Sequence, residues 1–176
     1  MKNLIIMTVL GGFFTLGQIQ LNAEKSSLII TGTSSLHDWE MTVDEYDVTG
    51  SITDEQVQNL KVTIKSKSMK SGKSIMDDKA YDAVEADDYP EIIFSANTLQ
   101  VNGDKISGTG KLNIAGESRP VNLEAKVIKD SGAEIQIKGS VPLKMTDFNI
   151  DPPTAMFGTL KTGDAVVIEY DIFLNK

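Results

Sequence analysis

His37 is the single histidine of the chain, and it stands in Leu36-His37-Asp38-Trp39 at the head of a stretch that continues through Met41 and Val43. A general base needs a second group within hydrogen-bond reach, and a zinc site needs three or four ligands. Asp38 supplies neither, because adjacent strand residues point to opposite faces. His37 therefore reads as a polar residue at a rim, with Trp39 on the same face as core or cavity wall. The carboxylates Asp77, Asp78, Asp82, Glu85, Asp87 and Asp88 lack the alternating ligands, central glycine and closing glutamate of a calcium loop. They fall where a helix needs a charged solvent face. Lys61, Lys65, Lys67, Lys70 and Lys73 form a basic stretch, but no aromatics are interleaved to stack bases. There is no Gly-x-Ser-x-Gly, Walker or dinucleotide glycine motif, since Gly108-Thr109-Gly110 lies inside a strand pattern. The chain is expected not to be an enzyme, with no metal and no cofactor implied.

The overall composition narrows the partners further. The 176 residues carry 17 Lys and Arg against 25 Asp and Glu, for a net charge of −8, and there is no cysteine. Disulfide scaffolds and thiolate sites are excluded. Nucleic acid is not an expected partner, because such affinity comes from cations displacing counterions along the phosphates. At the N-terminus, Lys2 precedes an apolar run from Leu4 to Leu16, and Leu21-Asn22-Ala23 ends in a small residue. This pattern is that of a secretory signal peptide, residues 1–23, cut after Ala23. Its loss would remove Lys2 and leave residues 24–176 as one periplasmic or secreted domain with a net charge of −9. The rival reading is an uncleaved anchor, although the run is shorter than the roughly 20 residues a spanning helix needs.

Beyond Leu28 the dominant pattern is period two, with one apolar and one polar face. Val48 and Ile52 share a face, as do Val62 and Ile64; Ile106, Leu112, Leu123, Ile137, Ile168 and Tyr170 continue the series in later segments. Asn102-Gly103, Ala115-Gly116, Asp130-Ser131-Gly132 and Thr162-Gly163-Asp164 carry turn chemistry between them. About eight or nine antiparallel strands with short links, and one inserted helix, argue for an all-β barrel or sandwich over an α/β fold. That helix begins with a Ser74-x-x-Asp77 capping box, presents Met76, Ala80, Ala83 and Val84 on one stripe, and stops at Tyr89-Pro90. A barrel mouth is the natural place for such a stripe. The inward positions Gly50, Ala96, Gly108, Gly110, Ala125 and Gly139 are small, so they either leave room for a ligand or mark bent strands. A cavity walled by Trp39, Met41 and the inward residues above would suit a long apolar molecule, which gains roughly 0.8 kcal/mol per buried methylene.

These stretches resemble the YceI-like family. The similarity is carried by Tyr46 to Ile52, by Asp78-Lys79-Ala80-Tyr81-Asp82-Ala83 through Tyr89-Pro90-Glu91-Ile92-Ile93-Phe94-Ser95, and by Gly108 to Val121. Thr146-Asp147-Phe148-Asn149-Ile150 and Asp164 to Ile168 add to it, whereas the Ser34 to Trp39 wording departs from the commoner one. The resemblance implies an antiparallel, lipocalin-like β-barrel of about eight strands with one short inserted helix, holding a long isoprenoid chain, polyisoprenoid or quinone-like, in its pore. It places Ile92, Phe94 and Phe148 among the pore-lining residues. The expected role is a carrier or sequestering protein that is not integral to the membrane, exchanges lipid with it, and can pair as a homodimer. Two alternatives stand beside it: a small outer-membrane barrel with its apolar face outward, and a structural barrel with a filled core.

Overall fold

The computed structural model describes residues 17–155 and 157–176. The apolar run Leu4 to Leu16 lies outside the described residues. Among these residues thirteen strands and one α-helix follow one another. They are β1 (Gly17–Gln18), β2 (Gln20–Leu21), β3 (Ser27–Ser34), β4 (Trp39–Val43), β5 (Tyr46–Ile52), β6 (Gln56–Lys65), β7 (Met69–Lys70) and the helix α1 (Ser74–Ala83). After the helix come β8 (Glu91–Asn102), β9 (Lys105–Ile114), β10 (Glu117–Asp130), β11 (Glu134–Lys144), β12 (Thr154–Ala155) and β13 (Leu160–Asn175). The count exceeds the expected eight because β1, β2, β7 and β12 are two-residue pieces at the margins, which leaves nine longer strands.

All pairings are antiparallel, in the order β1-β5-β6-β8-β9-β10-β11-β13-β3-β4-β7. The segment Gly17–Leu21 pairs with β5 through β1 and with β13 through β2. The sheet must therefore curl until β5 and β13, second and eighth in that order, flank one segment. Ile19, between the two short strands, is 6% exposed and belongs to the core. A chain cut after Ala23 lacks both short strands and this side chain. Replacing Ile19 by Val is expected to cost about 1 kcal/mol, read as a lowered thermal midpoint; no change would mean the segment contributes nothing to the fold.

The period-two alternation does the rest. Val48, Ile64, Leu112, Ile137 and Ile172 are buried inside, whereas Lys61, Lys111, Glu124, Lys126 and Glu169 on the same sheet are exposed. The apolar face is thus the interior, which argues against a membrane-spanning barrel. Among the described residues no helix is long and apolar enough to cross a membrane.

Three local expectations are corrected. Thr162-Gly163-Asp164 does not separate two strands: it lies inside β13, where the register against β3 slips between Thr162 and Val166. Glycine serves a bulge there. The capping box is also absent, since Ser74 is already the first helical residue and Lys73 precedes it without a side-chain cap. Asp77 instead accepts hydrogen bonds from the backbone N–H and the hydroxyl of Ser71, at 2.7 and 2.6 Å. Finally, the small inward residues seat large neighbours. A methyl carbon on Gly110 would lie 2.2 Å from Phe94 Cζ, and one on Gly139 would lie 2.3 Å from the Tyr170 hydroxyl oxygen. At these two positions the missing side chain is occupied by an aromatic ring.

Candidate functional site

The interior is not completely filled. A cavity of about 600 Å³ opens beneath α1, bounded by the β3–β4 turn, α1 and the chain from Leu143 to Leu160. Its size falls within the roughly 300–1,000 Å³ of small-molecule sites. Met76, Ala80, Ala83 and Val84 form the helical wall, so the apolar stripe of α1 faces the mouth. Trp39, Met41, Ile92 and Phe148 line the same space. A second cavity of about 130 Å³ lies deeper, with Val48, Ile52, Val62, Phe94, Ile106 and Leu112 on its wall. Leu123, Ile137 and Tyr170 line it as well. Ile64 and Ile168 border both cavities. They make up the wall where an outer chamber and an inner one adjoin.

Each wall residue arrives by strand or helix periodicity, but their common orientation comes from cross-strand register. Phe94 faces Val62 on β6 and Leu112 on β9. Leu123 stands opposite Gly108, and Ile137 opposite both Val127 and Ile172. Trp39 pairs with Gly32 across the β3–β4 turn, its ring lying over the glycine, and its indole N–H donates to the Thr33 carbonyl at 2.9 Å. The ring is held at the mouth by one bond and one close approach.

Among the described residues, the polar side-chain atoms on the wall of the inner chamber are the hydroxyls of Tyr46 and Tyr170. Tyr170 donates to the Glu124 carbonyl at 3.0 Å, and burial pushes its pKa up to about 12. An unfolded tyrosine titrates near 10, so the folded state favours the protonated phenol. Its contribution is complete below about pH 10 and is lost as pH rises toward 12. A fall in stability on the order of 2 kcal/mol is expected across that window by chemical denaturation, and Tyr170→Phe should remove that component. A flat profile in the parent protein would show that the hydroxyl is not desolvated.

The outer chamber has a different polar rim. Its wall carries Lys73, Lys79, Lys144, Lys161 and His37, without a carboxylate. His37 Nδ1 lies 2.6 Å from the Asp38 carbonyl oxygen. Among the described residues no group of three His, Asp or Glu side chains is placed to hold a metal ion. In sequence Lys73 belongs to a solvated basic stretch, and Lys79, Lys144 and Lys161 carry no signal of their own. These lysines are scattered over more than eighty residues, and only the curl of the sheet and the position of α1 bring them to one rim. The short helix Met145–Phe148 is likewise legible only through the family wording around Phe148.

The model of the YceI-like domain matches residues 19–174. Protein YceI of Escherichia coli O157:H7 is 33% identical over 67 residues, a stretch covering 35% of each chain. The chain thus spans about a third of the length of that curated relative. Among solved structures, Burkholderia cenocepacia BcnA superposes with a TM-score of 0.74 at 20% identity, over 87% of this chain and 98% of that one. A polyisoprenoid binding domain from Saccharophagus degradans, implicated in plant cell wall breakdown, gives a TM-score of 0.69 at 15% identity, over 89% and 97%.

Proposed function

The chain belongs to the YceI-like family, and from that premise we propose that it is a binding protein, not an enzyme, that holds one long isoprenoid chain in the two chambers. The tail would pass from one to the other at Ile64 and Ile168, and the polar end would stay at the outer mouth. The observation that carries this reading is the pair of adjoining apolar chambers, the outer about 600 Å³ and the inner about 130 Å³, sharing two wall residues. An interior this apolar rewards length: each buried methylene adds roughly 0.8 kcal/mol, set against the cost of ordering the chain. A small polar molecule gains nothing comparable. The polyisoprenoid named for the Saccharophagus degradans domain supports the same ligand class.

The expected setting is outside the cytoplasm, as a carrier or sequestering protein, with Leu4 to Leu16 as the export signal. A cut after Ala23 would remove the short strands that pair with β5 and β13, so the mature mass also decides whether they belong to the exported protein. Native mass spectrometry of the protein recovered from cells tests both points, since it reports the mature mass and any copurified lipid. Trp39, the only tryptophan, lines the mouth and should change its emission as an all-trans prenol is titrated in. A protein that comes out empty and shows no response to prenols of any length refutes the reading.

A further inference from the structure

Five large apolar side chains stand exposed among the described residues: Leu36, Ile75, Tyr89, Ile128 and Phe157. Three of them gather around the outer mouth. Leu36, 66% exposed, and Ile75, 74% exposed, are part of its wall. Phe157, fully exposed, sits in the turn between Ala155 and Leu160, both of which line the mouth. The three come from separate segments, the β3–β4 turn, the start of α1 and the β12–β13 turn. Local sequence alone does not account for an apolar rim of this kind.

The charge at the same rim runs against the rest of the molecule. Acidic residues outnumber basic ones by 25 to 17 over the chain, yet the charged side chains on the mouth wall are Lys73, Lys79, Lys144 and Lys161. Among the described residues none of these four takes part in an ion pair, although seven other cations do. Lys144 acts at longer range on Asp164, whose carboxylate is already bound by the backbone N–H and hydroxyl of Thr146.

We propose that this rim is the face by which the protein docks on an anionic lipid bilayer. Leu36, Ile75 and Phe157 enter the headgroup region, the four lysines meet lipid phosphates, and the outer chamber opens onto the membrane. Apolar anchors with flanking cations are the usual composition of a surface that lies on a bilayer without spanning it. The acidic remainder is repelled by the same surface, so the charge asymmetry also orients the approach, mouth first. The purpose of such docking, lipid transfer, rests on the binding function proposed above; the docking itself rests on the rim.

Co-sedimentation of the protein recovered from cells tests it, using vesicles of phosphatidylcholine alone and of equimolar phosphatidylcholine and phosphatidylglycerol. Binding is expected to the anionic vesicles and to fall in high salt. Removing one lysine near an anionic surface weakens binding roughly fivefold, so Lys79→Gln with Lys161→Gln should weaken it roughly 25-fold. Phe157→Asp should weaken it about tenfold by removing an anchor, without moving the Trp39 response to farnesol, because Phe157 is not on the chamber wall. Equal binding to both vesicle types, or lysine variants that bind vesicles normally while losing preference for a phosphorylated prenol, would overturn the proposal. A dimer that hides the rim would overturn it too. Failure of farnesol to change Trp39 emission counts against the ligand-binding function instead, and leaves the vesicle result to be read independently.

Discussion

Ile168→Trp is expected to weaken binding of long prenols by roughly a hundredfold while leaving farnesol nearly unaffected. Ile168 pairs with Val141 on β11 and with Ile30 on β3, and with Ile64 it borders both chambers. An indole at this place obstructs the tail's way inward. A chain that cannot enter the inner chamber leaves its far end in water, and each methylene so stranded forgoes roughly 0.8 kcal/mol. Four such groups amount to about 3 kcal/mol, which is a little over two decades in affinity. A chain short enough to stay in the outer chamber loses none of this. Titrations monitored by Trp39 would be complicated by the added indole, so isothermal calorimetry with prenols of increasing length is the proper measurement. Equal losses for short and long chains would show that the tail does not pass from the outer chamber to the inner one. The fold should survive, since overpacking of this kind costs about 1–3 kcal/mol, and a thermal melt separates that cost from the loss of binding.

Gly110→Val is expected to destabilise the protein by about 3 kcal/mol, the upper end of overpacking costs. Gly110 stands opposite Val121 on β10, and the ring of Phe94 lies across its α-carbon. A side chain there meets Phe94 Cζ at 2.2 Å and the Ser95 carbonyl oxygen at 2.8 Å. The ring can move, but the carbonyl belongs to the β8 ladder and cannot. Phe94→Leu in the same chain should therefore return only part of the stability, and a double-mutant cycle in urea gives the coupling directly. Full restoration would assign the whole penalty to the ring. An undiminished stability in Gly110→Val would mean that β8 and β9 pack less closely in solution.

The interior wall is legible in the sequence because period-two alternation assigns a face to each residue. Val48, Ile52, Val62, Ile106, Leu112, Leu123, Ile137 and Tyr170 all stand on one chamber through this rule. The helical spacing of Met76, Ala80, Ala83 and Val84 likewise marks one face, and that face lines the mouth. The meaning of the glycines is harder to read. A small inward residue signals space, but whether a ligand or a neighbour's ring fills it depends on the residue across the ladder. Phe94 and Tyr170 supply that ring at Gly110 and Gly139. The bulge at Thr162 to Asp164 misleads for a related reason, since the residues that permit a turn also permit an extra residue within a strand.

Short-range physics determined the elements of this protein: alternation, turn residues and helical spacing act over a few residues, and they specify an antiparallel all-β chain with one helix and an apolar interior. Tertiary structure alone decided the rest. Ile64 and Ile168 border both chambers although they come from β6 and β13, which are not neighbours in the sheet, and the segment Gly17–Leu21 becomes structural because β5 and β13 are there to pair with it. The lysines and exposed apolar residues of the mouth carry no common local signal. Sheet curvature brings them together, and curvature is a sum over all the strands that no single stretch of sequence encodes.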